Sequence, residues 1–328
     1  MKKLALVLVS LLLVMCMTAA IAEGYVIANT PKCIGIAWWD RMETGNDRFE
    51  AATGNEVYQD GPAGGADEAQ QLAAVQQAHA SMVDAITVIP SSPESLENEL
   101  AACMKDGIVV ISHEAETLQN VNFDLEAFDN TAYGAHMMDV LAAEMGEEGD
   151  YAIMVGALTM VSHMQWAEGA VARQKEAYPK MNLVCDYLDS NAYGGSNEGS
   201  YLAAKEALAK YPSLKGFIGC DMLNPPGIAQ AVEEAGSAGK VTVTGTCLVS
   251  VAGEYLTNGT IKTIVFWDPA DAGEAMCNLA LKVIAGEPVE TGVNLNVPGY
   301  ENCAVDGKIV RGAAWVDVTA ENAADYPF

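Results

Sequence analysis

The stretch AITVIPSSPESLENELAACMKDGIVVISHE, residues 85–114, decides the fold. It begins with a short apolar run at 85–89, continues with an amphipathic helical pattern at 93–105 and ends with a second apolar run at 108–112. Short apolar runs that alternate with helical segments are typical of βαβ units. Two strands joined through a helix can lie parallel, which two strands joined by a tight hairpin cannot. The stretch therefore predicts a parallel sheet in an α/β fold.

The same alternation continues on both sides of this stretch. Strands are predicted at 33–37, 56–59, 85–89, 108–112, 151–155, 183–187, 216–220, 241–245 and 261–266, and helices at 66–79, 93–105, 132–145, 198–210 and 270–284. The segment 122–133 has few helix signals and divides the units into two blocks. A chain of about 300 residues also exceeds what one hydrophobic core usually supports. We therefore predict an α/β protein with two doubly wound parallel-sheet lobes, whose ligand binds beyond the carboxyl ends of the strands.

Residues 1–22 have the pattern of a secretory signal peptide. Two lysines precede an uncharged apolar run, and the small-residue sequence at 20–22 resembles a cleavage site. A membrane anchor would need about 20 apolar residues and a stop-transfer flank, so this alternative is less favoured. Lipid anchoring at Cys16 is also disfavoured, because Met15 stands where a small residue would be needed. The mature chain is thus expected in the periplasm or outside the cell.

The composition narrows the classes of partner. A formal net charge of −27 argues against nucleic acid, since a protein needs basic patches to neutralise phosphates. The seven cysteines that follow the signal peptide have no C-x-x-C spacing, so neither a zinc site nor a disulfide framework is indicated. We expect buried thiols that act as small hydrophobic side chains, with their redox state left open. The sequence predicts no metal and no cofactor.

Aromatic rings and carboxylates follow several of the predicted strands. An indole face suits the C–H surface of a sugar ring or a cation, and a carboxylate can accept hydrogen bonds from two hydroxyl groups. Four carboxylates at strand ends would repel an anion and favour a neutral polyol or a cation. The candidate ligand-binding residues at the strand ends are Trp38, Trp39, Asp40, His113, Glu114, Asp221, Asn224, Pro226, Trp267 and Asp268.

A second group of candidates lies at the head of a helix that follows the run 151–155. His163, Gln165 and Trp166 can project toward the cleft from its first turn, and Ser162 is a further candidate there. Some of these candidate residues could instead have a purely structural role. Ser162 and Asp268 are plausible helix caps, and the neighbouring tryptophans at 38 and 39 can cover the sheet as core residues.

An enzyme is the less favoured alternative. The chain contains no G-x-S-x-G motif, no glycine-lysine phosphate loop and no G-x-G-x-x-G motif. Paired carboxylates could serve glycoside hydrolysis, but a ligand-binding cleft accounts for them without chemistry.

Several stretches resemble the type I periplasmic binding proteins of ABC importers, most of all the branch of rhamnose-binding and autoinducer-2-binding receptors. They are DGPAGGADEAQQLAAVQQ from Asp60, VIPSSPESL from Val88, YPSLKGFIGCDMLNPPGIAQAVEEAG from Tyr211, FWDPADAG from Phe266 and the terminal ENAADYPF. The resemblance covers essentially the whole mature chain, and the order and spacing of the stretches make it specific.

The resemblance implies two lobes joined by three crossover segments and a hinge that closes around the ligand. It places the N-terminal lobe at 23–127 and 268–295, and the C-terminal lobe at 128–267 and 296–328. It assigns the sugar-clamping carboxylate to Glu114, a polar contact to Asp221 and a last hinge contact to Trp267 or Asp268.

The resemblance also bears on ligand and partners. Autoinducer receptors carry a lysine in place of Trp39 and an Asp-Gln pair in place of Ser162 and His163, whereas Pro226 is retained. We therefore expect a pentose, hexose or deoxyhexose, and keep as alternatives an autoinducer-2-like furanose or a cationic solute used in sensing. The implied partner is the permease of an ABC transporter, and the protein is expected to be a monomer.

Overall fold

The computed structural model describes residues 24–328, so the predicted signal peptide lies outside the described residues. The strands are β1 (Val26–Thr30), β2 (Glu56–Gln59), β3 (Ala85–Val88), β4 (Val109–His113), β5 (Phe123–Glu126), β6 (Glu148–Val155), β7 (Lys180–Leu183), β8 (Leu188–Asp189), β9 (Leu214–Gly219), β10 (Thr242–Thr246), β11 (Ile261–Phe266), β12 (Ala304–Asp306), β13 (Ile309–Arg311) and β14 (Val316–Thr319). The α-helices are α1 (Ala37–Thr53), α2 (Glu68–Ala80), α3 (Pro93–Lys105), α4 (Asn130–Met145), α5 (Val161–Ala177), α6 (Asn197–Lys210), α7 (Asn224–Glu234), α8 (Val249–Asn258) and α9 (Pro269–Ile284). Within residues 24–328, no helix has the length and apolarity that a membrane crossing requires.

The first lobe is built on a seven-stranded sheet in the order β2-β1-β3-β4-β5-β13-β12. All neighbouring strands are parallel except β12 and β13, which are antiparallel. Helices α1 and α9 pack together on one face, and α2 and α3 cover the other with a separate hydrophobic cluster. The chain reverses its direction of winding between β1 and β3, and ligands of doubly wound sheets bind at such switch points.

The second lobe repeats this plan with the order β7-β6-β9-β10-β11-β14, and β8 also pairs with β6. Only β14 runs antiparallel to its neighbour, β11. Helices α4 and α5 pack against each other, as do α6 and α7. The switch point lies between β6 and β9. The predicted class of two doubly wound α/β lobes is thus confirmed.

The chain crosses between the lobes three times, at 127–129, at 267–268 and at 312–315. The third crossing differs from the predicted boundary between 295 and 296. Strand β13 pairs with β5, so β12 and β13 belong to the first sheet. Each has only three residues, which is too short for an apolar pattern to indicate a strand.

The prediction of the first strand at 33–37 was wrong. The first strand is β1, and residues 33–36 form the loop that leads into α1. β1 ends in Asn29 and Thr30, whose buried polar side chains hide it from a search for apolar runs. Their polar groups are satisfied inside the sheet, since Thr87 Oγ1 donates to Asn29 Oδ1 at 3.0 Å and Thr30 Oγ1 donates to the Thr87 carbonyl at 3.3 Å.

A smaller error concerns the predicted strand at 183–187. Strand β7 ends at Leu183, and β8 begins only at Leu188. By contrast, α3 begins and ends where the sequence predicts. Pro93 occupies its first turn, where the missing N–H costs nothing, and Leu96, Leu100 and Cys103 form its buried face at intervals of one turn.

The lobes touch directly beside the switch points. Thr159 Oγ1 donates to the Ser91 carbonyl at 3.3 Å, and Gln165 Nε2 donates to Glu116 Oε2 at 3.0 Å. Residues around the first turn of α5 therefore bridge to the first lobe.

Candidate ligand-binding cleft

A cavity lies between the lobes, at the carboxyl ends of the strands that flank both switch points. Lys32 and Cys33 follow β1, Gly156 follows β6, and Asp221 follows β9. The cavity volume open to water-sized molecules is about 100 Å³, which gives room for a small organic molecule.

Four tryptophans form the apolar wall of this cavity. Trp38 and Trp39 come from the first turn of α1, Trp166 from α5, and Trp267 from the second crossover. The rings of Trp38 and Trp267 meet edge to face with centroids 4.7 Å apart, and those of Trp166 and Trp267 are 5.6 Å apart. Trp166 Nε1 donates to Asn130 Oδ1 at 2.6 Å, which fixes its ring. The wall is a rigid indole surface suited to C–H groups or a cation.

Glu114 follows β4 and lies at the first-lobe side of the cavity. Lys32 Nζ donates to its Oε2 at 2.6 Å, and Ser162 Oγ of the second lobe donates to the same atom at 2.9 Å. Burial opposes ionisation of this carboxyl, but the charge and hydrogen bond of Lys32 together with the neighbouring His113 and His163 lower the pKa of Glu114 to about 2. The carboxylate is therefore ionised, and its Oε2 is already used by protein donors.

Asp221 occupies the second-lobe side. Its Oδ1 accepts from the Leu223 N–H at 2.9 Å, and no salt bridge within residues 24–328 includes it. Burial raises the pKa of Asp221, because the charged form loses hydration that the Leu223 N–H and the charge of Lys32 replace only in part. Asp221 Oδ2 thus remains the less satisfied carboxylate oxygen of the cavity.

His163 lines the cavity next to Asp221. The Gly156 N–H donates to His163 Nδ1 at 3.2 Å, so the ring carries its proton at Nε2. Burial lowers the pKa of His163 to about 3, which keeps the imidazole neutral at physiological pH. His163 can therefore offer one N–H donor to a ligand without adding charge.

Gly156 makes this convergence possible. A Cβ at this position would lie 2.9 Å from Asp221 Oδ2 and 3.0 Å from both His163 Cε1 and Met160 Sδ. The first separation is shorter than real Cβ contacts and the other two are tighter than most, so a side chain here would shift these groups. Two further glycine pairs, at 64–65 and 194–195, line the cavity from opposite lobes.

Seven of the residues proposed from the sequence line the cavity. They are Trp38, Trp39, Glu114, His163, Trp166, Asp221 and Trp267. Two of the others support them from behind. Ser162 donates to Glu114, and Asn224 Oδ1 accepts from the Asp221 N–H at 3.0 Å.

The remaining predicted residues do not line the cavity. Asp40 is exposed on α1, and Pro226 is buried in the first turn of α7. His113 Nδ1 contacts the Leu125 carbonyl, and Gln165 bonds to Glu116. Asp268 caps α9 and forms a two-point ion pair with Arg41 at 2.6 and 2.9 Å, as its structural alternative predicted.

Sequence reasoning missed several cavity residues. Lys32 was hidden because the misplaced strand at 33–37 put it before a strand, when it follows β1. The other missed lining residues are Cys33, Ile36, Gly64, Gly65, Ala66, Gly156, Met160, Ser190, Asn191, Gly194, Gly195, Cys220, Met222, Leu223 and Thr246.

Two doubly wound lobes, three crossovers and a cavity at facing switch points define a two-lobed solute-binding protein. The family described as "Periplasmic binding protein domain" matches residues 27–288, and the chain belongs to this family. The D-allose-binding periplasmic protein of Escherichia coli (strain K12) is 28% identical over 196 residues, which span 57% of this chain and 61% of that protein.

Solved structures share the fold. LsrB from Clostridium saccharobutylicum in complex with AI-2 has a TM-score of 0.82 at 20% identity, covering 92% of this chain and 100% of that chain. A solute-binding protein of an ABC transporter from Clostridium phytofermentas with bound L-rhamnose has a TM-score of 0.81 at 18% identity, covering 92% and 98%. The resemblance drawn from the sequence is thereby confirmed.

Proposed function

We propose that this protein is the exported solute-binding component of an ABC importer and binds a small neutral sugar between its lobes. The ligand is a pentose, hexose or deoxyhexose. The observation that carries the proposal is the pairing of a four-tryptophan wall with Asp221 in a cavity of monosaccharide size. An indole wall covers the C–H face of a sugar ring, while Asp221 accepts from a hydroxyl.

The charges of the cavity support a neutral ligand. Lys32 and Glu114 neutralise each other, and His163 is neutral. An anion would lie close to Asp221 and be repelled, whereas a polyol can donate to Asp221 and accept from His163.

We also propose that the two lobes close on the ligand by a hinge motion at the three crossovers. Lys32 and Glu114 belong to the first lobe, and Ser162 and Asp221 to the second, so an open form would separate the two halves of the site. The contacts of α5 with the first lobe support this arrangement, since they can form only when the lobes approach.

A panel of pentoses, hexoses and deoxyhexoses tests the proposal through intrinsic fluorescence and thermal shift. Four of the five tryptophans line the cavity, so a bound sugar should change the emission. We expect at least one sugar to raise the midpoint of thermal unfolding and to shift the fluorescence. The absence of both responses across all neutral sugars would refute the proposal.

A cationic solute is the second candidate, because indoles together with an unpaired Asp221 also suit a cation. Quaternary ammonium compounds and the autoinducer-2 furanose belong in the same assay, and a response confined to one of them would replace the sugar as the proposed ligand.

Recovery of the bound sugar uncleaved separates binding from hydrolysis. Copurification with the permease and a monomeric mass in light scattering test the proposed partner and oligomeric state.

A further inference from the structure

A cluster of metal-ligating side chains lies on the first lobe, away from the cavity. His79 is in the last turn of α2, and Glu99 and Cys103 lie one turn apart on α3. These two helices cover the face of the first sheet opposite to α1 and α9. None of the three residues lines the cavity between the lobes.

The three side chains already point at one another. His79 Nδ1 lies 2.6 Å from Glu99 Oε1, and one ligand atom from each of His79, Glu99 and Cys103 lies within 4.8 Å of the others. Glu99 and Cys103 are four residues apart on one helix, so they share a face that is directed toward His79. Small side-chain rotations would bring all three atoms to one ion.

Asp106 adds the outer partner that metal-bound histidines usually have. Its Oδ2 lies 3.1 Å from His79 Nε2, so the second ring nitrogen can donate there while Nδ1 lies against Glu99. A carboxylate that holds the remote N–H of a ligating histidine fixes the tautomer and raises the basicity of the ring.

The donor set indicates which ion would fit. One thiolate, one imidazole and one carboxylate suit zinc, which accepts sulfur, nitrogen and oxygen ligands in tetrahedral sites. Three protein ligands leave a fourth position for water. Calcium and magnesium prefer sites made of oxygen atoms, so a thiol in the cluster disfavours them.

An ion pair of His79 with Glu99 and Asp106 explains two contacts of the ring without a metal. Cys103 lies in the cluster but takes no part in this ion pair. The thiol therefore distinguishes the two arrangements.

We propose that His79, Glu99 and Cys103 bind a zinc ion, with Asp106 holding the remote nitrogen of His79. The ion joins α2 to α3 and stabilises the first lobe. Because the cluster lies outside the cleft, the metal should leave sugar binding unchanged, and the two proposals can fail independently.

The test uses the full mature chain, stripped with a chelator and titrated with zinc in competition with a chromophoric indicator, and with cobalt(II) as a spectroscopic probe. We expect one strongly bound zinc per chain, a higher midpoint of thermal unfolding with zinc, and a thiolate-to-cobalt charge-transfer band in the near ultraviolet. Asp106→Asn should weaken zinc binding by about 10- to 100-fold. His79→Gln should weaken it further, and Cys103→Ala should also abolish the charge-transfer band.

Two matched controls isolate the cluster. Cys277→Ala removes a buried helical thiol of α9 on the opposite face of the same sheet, and His136→Gln removes a histidine paired with Asp317. Both should leave zinc affinity unchanged. His79 is partly exposed, so His79→Gln keeps the test valid if Cys103→Ala fails to fold. Absence of strong zinc binding, or a cobalt complex without the thiolate band, would overturn the proposal.

Discussion

Glu114 of the first lobe and Asp221 of the second lobe lie at strand ends on the same cavity, but their surroundings differ. Glu114 receives a lysine ammonium and a serine hydroxyl on one oxygen, and its pKa is lowered to about 2. Asp221 receives a backbone N–H, and burial raises its pKa. A carboxylate that follows a strand can therefore contact a ligand only through the oxygen atoms that no protein donor occupies.

This comparison assigns the two carboxylates different roles. Glu114 pairs with Lys32 of its own lobe and joins the second lobe through Ser162, with Oε1 as its remaining acceptor. Asp221 keeps its Oδ2 for the ligand. The four predictions below test this division, beginning with the largest expected effect.

Replacing Lys32 should destabilise the fold. Lys32→Met leaves Glu114 buried without its cation, and we expect the free energy of unfolding to fall by about 3–5 kcal/mol in denaturant titrations. Arg48→Met is the matched control, because Arg48 pairs with Asp271 and Glu274 at an exposed position and should cost less than about 1 kcal/mol. Equal effects of the two substitutions would contradict the buried ion pair.

Acid should act on the two carboxylates in opposite directions. In the unfolded chain Glu114 titrates at 4.5, so its stabilisation is complete above that pH and is lost as pH falls from 4.5 to about 2, by at most about 3 kcal/mol. Asp221 has a raised pKa in the folded state, so falling pH stabilises the fold between that pKa and its ordinary 3.8.

Unfolding free energies measured against pH for wild type, Glu114→Gln and Asp221→Asn test these signs. In Glu114→Gln, the free energy of unfolding should fall less steeply below pH 4.5 than in wild type. In Asp221→Asn, it should fall more steeply as the pH approaches 4.5, because the stabilising protonation of Asp221 is lost. If the pH profiles of the two variants superimpose, the opposite pKa shifts of Glu114 and Asp221 are contradicted.

Removing the acceptor on the second lobe should affect binding more than folding. Asp221→Asn is expected to weaken sugar binding by about 10- to 100-fold in calorimetry, because hydrogen bonds to charged groups contribute about 1.5–3 kcal/mol. Asp40→Asn alters an exposed carboxylate outside the cavity and should leave affinity unchanged. An unaltered affinity in Asp221→Asn would remove Asp221 from the site.

The tryptophan wall should contribute a smaller amount for each ring. Trp38→Leu keeps an apolar side chain but removes the stacking surface, and we expect about 10-fold weaker binding. Trp315→Leu is the control, since Trp315 does not line the cavity. Equal losses from both substitutions would indicate a general effect on packing and contradict a stacking role.

Much of the fold could be predicted because βαβ units have strong local signals. Strand β11 and helix α3 have the predicted bounds. β1 was missed because Asn29 and Thr30 satisfy their polar groups through neighbouring strands, which no local pattern records. β12 and β13 were missed because three-residue strands depend on tertiary pairing for their existence.

The site was predicted less completely because it also depends on exact strand bounds and on contacts between the lobes. Trp267 and Asp221 follow strands that were placed nearly correctly, so their position in the cleft could be foreseen. Lys32 depends on the bounds of β1. The role of Ser162 depends on a contact across the lobes, which sequence spacing within one lobe cannot predict.

A crystal structure with the bound sugar tests the central claim most directly. We predict a ring that lies against the indole wall and a hydroxyl within about 3 Å of Asp221 Oδ2, with Lys32 and Ser162 still on Glu114 Oε2. A ligand that displaces Lys32 from Glu114 and makes no contact with Asp221 would contradict the account.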